Sequence, residues 1–402
     1  MTEFPVVQIN GYANVQSGYS FKSSDWLDDG VPVVKIANVK DGRVDHNGLG
    51  FVSETVAAQA AKFSLSEGDV LLAMTGYVGE MAVVKESDLP LLLNQRVGRC
   101  LPVSPLLDKR FMYYALSSSN GRLQLENLGQ GSAQANLSAG DFGLVEITLP
   151  PLAEQRAIAG VLGAIDDKIE SNRRLTATIE KLVPLVFQAM TTDVELKPLP
   201  QVAKLQKGIS YRSVDLEDSE TAMVTLKSYD RNGGYNPDGL KPYIGDYKPE
   251  QVLLPGDMAV AQTDLTQGAE VVGRVIRVPS QDDFKTLVAS LDLVIVRPLD
   301  AADEAYLYGA LLQEDFREHC RSRTSGTTVL HLGSDALPKY LIPWARSDTR
   351  KAFANEVQPL LEEHDSLTRE SATLERLRDA LSPELLSGRL RAKDAASMME
   401  NV

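Results

Sequence analysis

Two stretches of this chain carry apolar residues at alternating spacings of four and three. The first runs from Leu152 to about Met190, through Ile158, Leu162, Ile165, Ile169, Asn172, Thr176, Ile179, Val183 and Val186. The second runs from Thr349 to Leu390, through Phe353, Val357, Leu360, His364, Leu367, Ser371, Leu374, Arg378, Leu381 and Leu385. Each stripe is apolar apart from a few polar residues near its middle. A mean spacing of 3.5 residues, kept over about five heptads, is the pattern of a coiled coil. A helix of this length is not stable alone, and the simplest partner for each stripe is the other. The opposite face of the first helix is continuously polar (Asp167, Glu170, Arg173, Glu180). Antiparallel pairing would put the two remaining parts of the chain at opposite ends of a rod, with Glu154 to Met190 spanning about 55 Å. Asn172 reads as a register-setting polar residue of the seam and His364 as a rim residue. Pro184 and Pro383 predict a kink or an end in each helix.

Outside these stretches the pattern is mostly that of strands. A strand is expected at Pro32 and a short buried one at Val70–Met74. Val145, Ile147 and Leu149 alternate with Glu146 and Thr148, and Val271–Val278 and Leu291–Val296 are short and rich in β-branched residues. Helical patches fall at Lys109–Leu125 and Ala302–Cys320. The two halves also repeat. GYSFKSSD from Gly18 matches GISYRSVD from Gly208, and GDVLLAMTG from Gly68 matches GDMAVAQTD from Gly256. GSAQANLS from Gly131 matches GTTVLHLG from Gly326, and VEITLPP from Val145 matches KYLIPWA from Lys339. Four blocks in the same order at a spacing near 190 residues mean a duplicated domain, not a solenoid. The expected fold is α+β: two similar strand-rich domains, residues 1–150 and 197–345, separated by two long antiparallel coiled-coil helices. The helical segments are 151–196 and, with the C-terminal tail, 346–402.

Composition narrows the chemistry. The 402 residues are 43% apolar and 24% charged, normal for a globular protein. No window approaches the ~18 apolar residues of a membrane span. The start, MTEFPVVQING, lacks a basic region and a long apolar run, so no signal peptide is expected. Two cysteines (Cys100, Cys320) and four scattered histidines (His46, His319, His331, His364) offer no disulfide framework and no metal spacing. The cysteines read as core fillers, and the whole as a protein of the reducing cytoplasm. There is no P-loop, no GxGxxG followed by a helix, no HExxH and no methyltransferase-type Asn-Pro-Pro-aromatic run. Pro237 to Lys241 is a turn between strands. Asp166 and Asp167 are adjacent on a helix and point to different faces. The chain reads as non-catalytic and without a cofactor. Its net charge of −14 argues against a nucleic-acid partner, and no segment is basic: each strand-rich half carries −5 (11 basic against 16 acidic, then 16 against 21) and each helical segment −2.

The order of motifs nevertheless resembles one known family. Each half opens with G-[YI]-S-[FY]-[KR]-S, continues with a Gly-Asp-apolar strand and a Gly-Ser/Thr loop, and exits into a long helix. The first helix begins PPLAEQRAIAGVLGAIDDKIESNRRL, with Pro151, Glu154, Gln155 and Ile158 followed by Asp166, Ile169 and Asn172. This is similar to the specificity subunit of a Type I restriction–modification enzyme, over nearly the whole chain. Asp348-Thr-Arg-Lys-Ala replaces Glu-Gln-Arg-Ala in the second helix, so the resemblance is weaker there. It implies two target-recognition domains, each reading one half of a bipartite site in double-stranded DNA. The helices would fix the gap and dock two methyltransferase subunits, which motor–nuclease subunits then join. Methyl donor, ATP and metal would belong to those partners, and membranes would play no part. Partner cations would also compensate the negative charge.

Base reading needs amide and guanidinium groups at groove edges, and phosphate anchoring needs cations, hydroxyls and backbone N–H groups. Candidates in the first half are Tyr19, Ser20, Lys22, Lys40, Arg43, Thr75, Tyr77, Asn94, Gln95, Arg96, Gln130, Ser132, Gln134 and Asn136. In the second half they are Tyr211, Arg212, Lys227, Tyr229, Arg231, Gln262, Thr263, Arg321, Arg323, Thr324 and Thr327. Gly18, Gly76, Gly131 and Gly326 read as turn formers. Two other classes compete: a protein scaffold or inhibitor of a restriction system that never touches DNA, and a cryptic nuclease.

Overall fold

The computed structural model describes residues 4–130, 135–229, 234–265, 268–281 and 283–399. The chain divides into two compact units, residues 1–167 with 375–402, and residues 168–374. In the first unit an antiparallel sheet runs in the order Ala13–Ser17, Val97–Pro102, Val70–Ala73, Met81–Val83. A second sheet is ordered Leu92–Leu93, Val31–Val34, Gly50–Val52, Trp26–Leu27, and its pair Val33–Leu92 is parallel. The second unit repeats the first sheet as Ala203–Lys207, Leu293–Pro298, Met258–Ala261, Val275–Arg277. Its mixed sheet again contains one parallel pair, Thr221–Val224 with Thr286–Ala289.

The central strand of each antiparallel sheet shows why these sequences read as unbroken apolar runs. Side chains alternate between faces, and here both faces are covered. Val70 and Leu72 pack with Phe111, Met112 and Leu116 of the helix Lys109–Ser117. Leu71 and Ala73 pack with Val34, Val39 and Leu93 on the other side. In the second unit Met258 and Val260 join Tyr306 and Phe316, and Ala259 and Ala261 join Val224 and Ile295. The opening glycine of each repeat has the same role. A Cβ on Gly18 would lie 2.1 Å from the Leu93 carbonyl oxygen, and one on Gly208 would lie 2.0 Å from that of Ser290. No other residue permits this approach. After each glycine, the carboxylate of Asp25 or Asp215 accepts the backbone N–H of Lys22 or Arg212 at 2.7 Å, closing one helical turn.

The long helices are Leu152–Met190 and Ser347–Ser387. In the first unit Ile158 and Leu162 share a core with Leu385 and Leu386, and Asp166 meets Arg378 at 3.1 Å. In the second unit Asn172 donates to Glu370 at 2.8 Å, Glu180 meets His364 at 3.2 Å, and Phe187 packs on Phe353. As one helix is followed forward its partners run backward, so within each unit the pair is antiparallel. Ile158, Leu162, Ile165, Ile169, Asn172, Ile179, Phe353, Val357 and Leu367 are buried; Leu360, Leu374 and Leu381 are half-buried, and Leu361 fills the seam beside Leu360. The α+β class, the two similar halves and the antiparallel pairing all hold.

Two expectations are corrected in part, and a third feature was not anticipated. Neither Pro184 nor Pro383 ends its helix. Val183 and Phe187 are buried on one side of Pro184, and Leu385 and Leu386 follow Pro383 into the first unit's core. That packing offsets the ~3 kcal/mol that an interior proline costs. The strand expected from Val271 begins only at Val275, because the N–H groups of Val271 and Val272 donate to the Asp264 carboxylate and not to a ladder. The Glu154-Gln155 signature faces inward. Gln155 is fully buried; its side chain accepts from Asp108 N and donates to the Leu106 and Pro150 carbonyls, all at 2.8 Å. Glu154 accepts from Ala392 N, and Arg391 lies over the Phe4 ring at 4.5 Å, so both chain ends enter the first unit.

Candidate nucleic-acid interface

In the first unit, backbone pairing gathers most of the candidates at one edge. Tyr19 N donates to Leu93 O and Gln95 N to Tyr19 O, which sets Tyr19 and Ser20 beside Asn94-Gln95-Arg96. Asn94 is buried, and its side chain accepts from Arg96 N at 3.1 Å, shaping the turn that leaves Arg96 exposed. Met74 N donates to Arg96 O, and Thr75 bridges to Asn136, whose N–H donates to Gly129 O. Thr75, Gln130 and Asn136 thus adjoin the same edge. Tyr77 stands above it with 65% of its surface exposed. Tyr19 itself is held by Phe21 and Phe63, at ring distances of 4.9 and 5.9 Å.

The second unit builds the matching edge. Ile209 N donates to Ala289 O and Leu291 N to Ile209 O, so the Gly208–Arg212 loop lies beside Ser290-Leu291-Asp292. Gln262 N donates to Asp292 O, and the Gln262 amide reaches Leu291 O. Thr263 pairs with His331 and Thr324 with Leu332, which brings the Arg321–Thr324 segment alongside. Sequence reasoning missed Leu265, the counterpart of Tyr77 in the Gly256 block and the most exposed large apolar residue of the chain's described part at 72%. Aligning the Gly68 and Gly256 blocks one residue further would have found it. The exposed His331 was missed for want of any local motif.

Other candidates are placed elsewhere. Lys40 and Arg43 face each other across a hairpin against Ala82, with Lys40 paired to Asp45 at 2.7 Å. Lys227 is exposed on a turn packed against Pro237–Gly239. Tyr229 and Thr263 are corrected to core positions. The Tyr229 ring is buried and its hydroxyl donates to Ala259 O at 2.8 Å; the Thr263 hydroxyl donates to Asp292 at 2.6 Å. Thr327 is exposed. Ser132, Gln134 and Arg231 lie outside the described residues.

The edge offers hydrogen bonds and charge, while the two cysteines lie in the cores. Burial pushes both cysteine thiols up to about 12. Asp215 is held below the usual carboxylate range by the Arg212 side chain and backbone N–H. Asp166 is engaged by Tyr114 and Arg378, and Asp167 by Arg110. Among the described residues, no group of three metal-ligating side chains occurs, and no helix is long and apolar enough to cross a membrane.

Comparison with known proteins agrees with this architecture. Residues 1–181 match the family described as the Type I restriction modification DNA specificity domain. The MjaVIII specificity subunit of Methanocaldococcus jannaschii is 31% identical over 194 residues, 47% of this chain and 46% of that one. The chain therefore spans about half the length of that relative. The MjaIX specificity subunit of the same organism is 23% identical over 374 residues, 85% of this chain and 82% of that one. A Type I restriction–modification S subunit from M. genitalium shares the fold, with a TM-score of 0.58, 16% identity and coverage of 95% and 96%. With two copies of one strand-rich fold and paired long helices, this chain carries the Type I restriction modification DNA specificity domain over residues 1–181 and is similar over most of its length to specificity subunits of Type I restriction–modification enzymes.

Proposed function

We propose that this chain reads DNA sequence for a Type I restriction–modification complex and carries out no chemistry itself. Residues 1–150 and 197–345 act as target-recognition domains, each contacting one half of a bipartite duplex site through the edge described above. Segments 151–196 and 346–402 fix the gap between the half-sites and dock two methyltransferase subunits, to which motor–nuclease subunits add. Methylation, ATP hydrolysis and cleavage belong to those partners, and the complex works in the cytoplasm, where its DNA is.

The observation that carries this reading is the duplicated edge. Gly18–Lys22 and Gly208–Arg212 take the same path beside the same strand turn, and Thr75 and Thr263 follow the same central strand. Two copies of one surface, with different side chains at its rim, suit two different half-sites. The polar composition suits groove edges, where amide and hydroxyl groups discriminate base pairs.

The test is selection from random duplex DNA by the chain co-expressed with its methyltransferase subunit, at a stated salt concentration. Two short blocks with a fixed gap are expected. No enriched motif from an assembled complex would overturn the reading in favour of a scaffold or inhibitor.

A further inference from the structure

The two units differ at one equivalent place, the angle between a short helix of the strand-rich half and the long helix beside it. In the first unit Arg110, on the helix Lys109–Ser117, donates to Gly163 O at 3.1 Å and to the Asp167 carboxylate at 2.9 Å. A Cβ on Gly163 would fall 2.3 Å from Arg110 Cζ, so the guanidinium lies against bare backbone. This unit fills the angle with a side chain of its own.

The second unit leaves it open. Two contacts fix the correspondence. Gln155 bonds Asp108 N and Pro150 O in the first unit, and Arg350 bonds the Asp303 carboxylate and Ala345 O in the second. The same offset carries Arg110 to Ala305, Gly163 to Gln358 and Asp167 to Glu362. It also carries Leu106 and Leu107 to Ala301 and Ala302. Three larger side chains have thus become alanines. An open groove of about 470 Å³ lies there, lined by Ala301, Ala302 and Ala305 from one side and by Asn355 and Gln358 from the long helix. The acceptor is retained. Glu362 stands where Asp167 does, and accepts the Gln358 amide at 3.1 Å; among the described residues it meets no cation. The charge of the wall is also reversed, because Lys109-Arg110 becomes Glu304-Ala305. Glu304 meets Arg277 at 3.2 Å and keeps 31% of its side chain exposed.

We propose that this groove receives an arginine side chain of a methyltransferase subunit, in the place that Arg110 takes in the first unit. This rests on the function proposed above, which gives segment 346–402, one wall of the groove, to that partner. The alanine wall suits an aliphatic stem, and the amide and carboxylate groups suit a guanidinium. Their negative charge disfavours a DNA phosphate as the occupant. The two docking positions are then unequal: the first unit is complete in itself, and the second is completed by its partner.

The test titrates the full chain with its methyltransferase subunit and resolves the complexes holding one and two such subunits by native mass spectrometry. Ala305→Arg with Gln358→Gly gives the second unit the arrangement of the first. One of the two binding steps is expected to weaken about tenfold while the other stays as it was. Glu362→Lys, at an exposed side chain, should weaken the same step, and serves if the double variant does not fold. A photo-crosslinking residue in place of Asn355 should join the chain to the methyltransferase subunit. Crosslinking only to a second copy of this chain overturns the proposal. So do two unchanged binding steps in folded variants, or equal weakening of both. A wild-type chain that binds no methyltransferase subunit overturns the underlying function, and the occupant of the groove with it.

Discussion

His364 gives the coiled-coil seam a predictable response to pH. Its ring lies 3.2 Å from Glu180 on the first long helix and 3.7 Å from Asp365 on its own, with 14% of the side chain exposed. Asp365 in turn pairs with Arg277, which meets Glu304 at 3.2 Å. Burial would lower the pKa of His364. Hydrogen bonds to Asp365 and Glu180 outweigh it and raise it from 6.5 to about 9. A raised cationic pKa means the folded state holds the proton more tightly than the unfolded chain. The stabilisation is full below about pH 6.5 and is lost as pH rises through about 9. At ~1.4 kcal/mol for each tenfold difference in proton affinity, the contribution is on the order of 3 kcal/mol. Guanidinium unfolding of a Trp26→Phe variant, followed through the buried Trp344, would isolate the second unit. Its stability should fall by about that amount between pH 6.5 and 9.5, and His364→Gln should remove most of the slope. Parallel pH profiles in the two proteins would refute the reasoning.

Other expectations are smaller in scope. Asn172→Leu replaces a fully buried amide whose oxygen has no hydrogen-bond partner, while Glu370 keeps Lys168 as a partner. Thermal unfolding should shift upward by a few degrees, as ~1 kcal/mol of stabilisation implies. Gln155→Ala strands three backbone groups and should lower stability by about 2–4 kcal/mol in denaturant unfolding. Removing one heptad from each long helix, in register, shortens each by about 10 Å. The selected gap should then contract by about three base pairs at ~3.4 Å each. Exchanging residues 1–150 for those of a relative with another target should alter one selected block and leave the other unchanged.

The long helices were legible because a seam repeats over dozens of residues. Leu152 and Met190 are the ends both of the expected pattern and of the helix itself. The strand cores were legible for the same reason on a shorter scale, as runs such as Val70–Ala73. Local patterns failed where tertiary contacts decided the outcome. The proline stops were overridden by packing on either side, and Val271-Val272 was diverted by the Asp264 carboxylate. The candidate edge was half legible. Thr75 and Gln262 lie in the matched Gly68 and Gly256 blocks and each landed at the edge of its own unit, but nothing in the local sequence of Tyr229 distinguishes a core phenol from a surface one.

Segments that precede and follow the second unit are built together into the first, where Arg391 covers Phe4 and Leu385 and Leu386 complete the core around Ile158. The second unit, residues 168–374, is uninterrupted. On the ribosome this reverses the usual order of maturation, in which the N-terminal part folds first. The later-synthesised unit can close as soon as it has emerged. The unit made first must wait, its apolar surface uncovered, until the segment from residue 375 through Leu385 and Leu386 has been made. A premature stop after residue 374 would therefore spare the second unit and cripple the first.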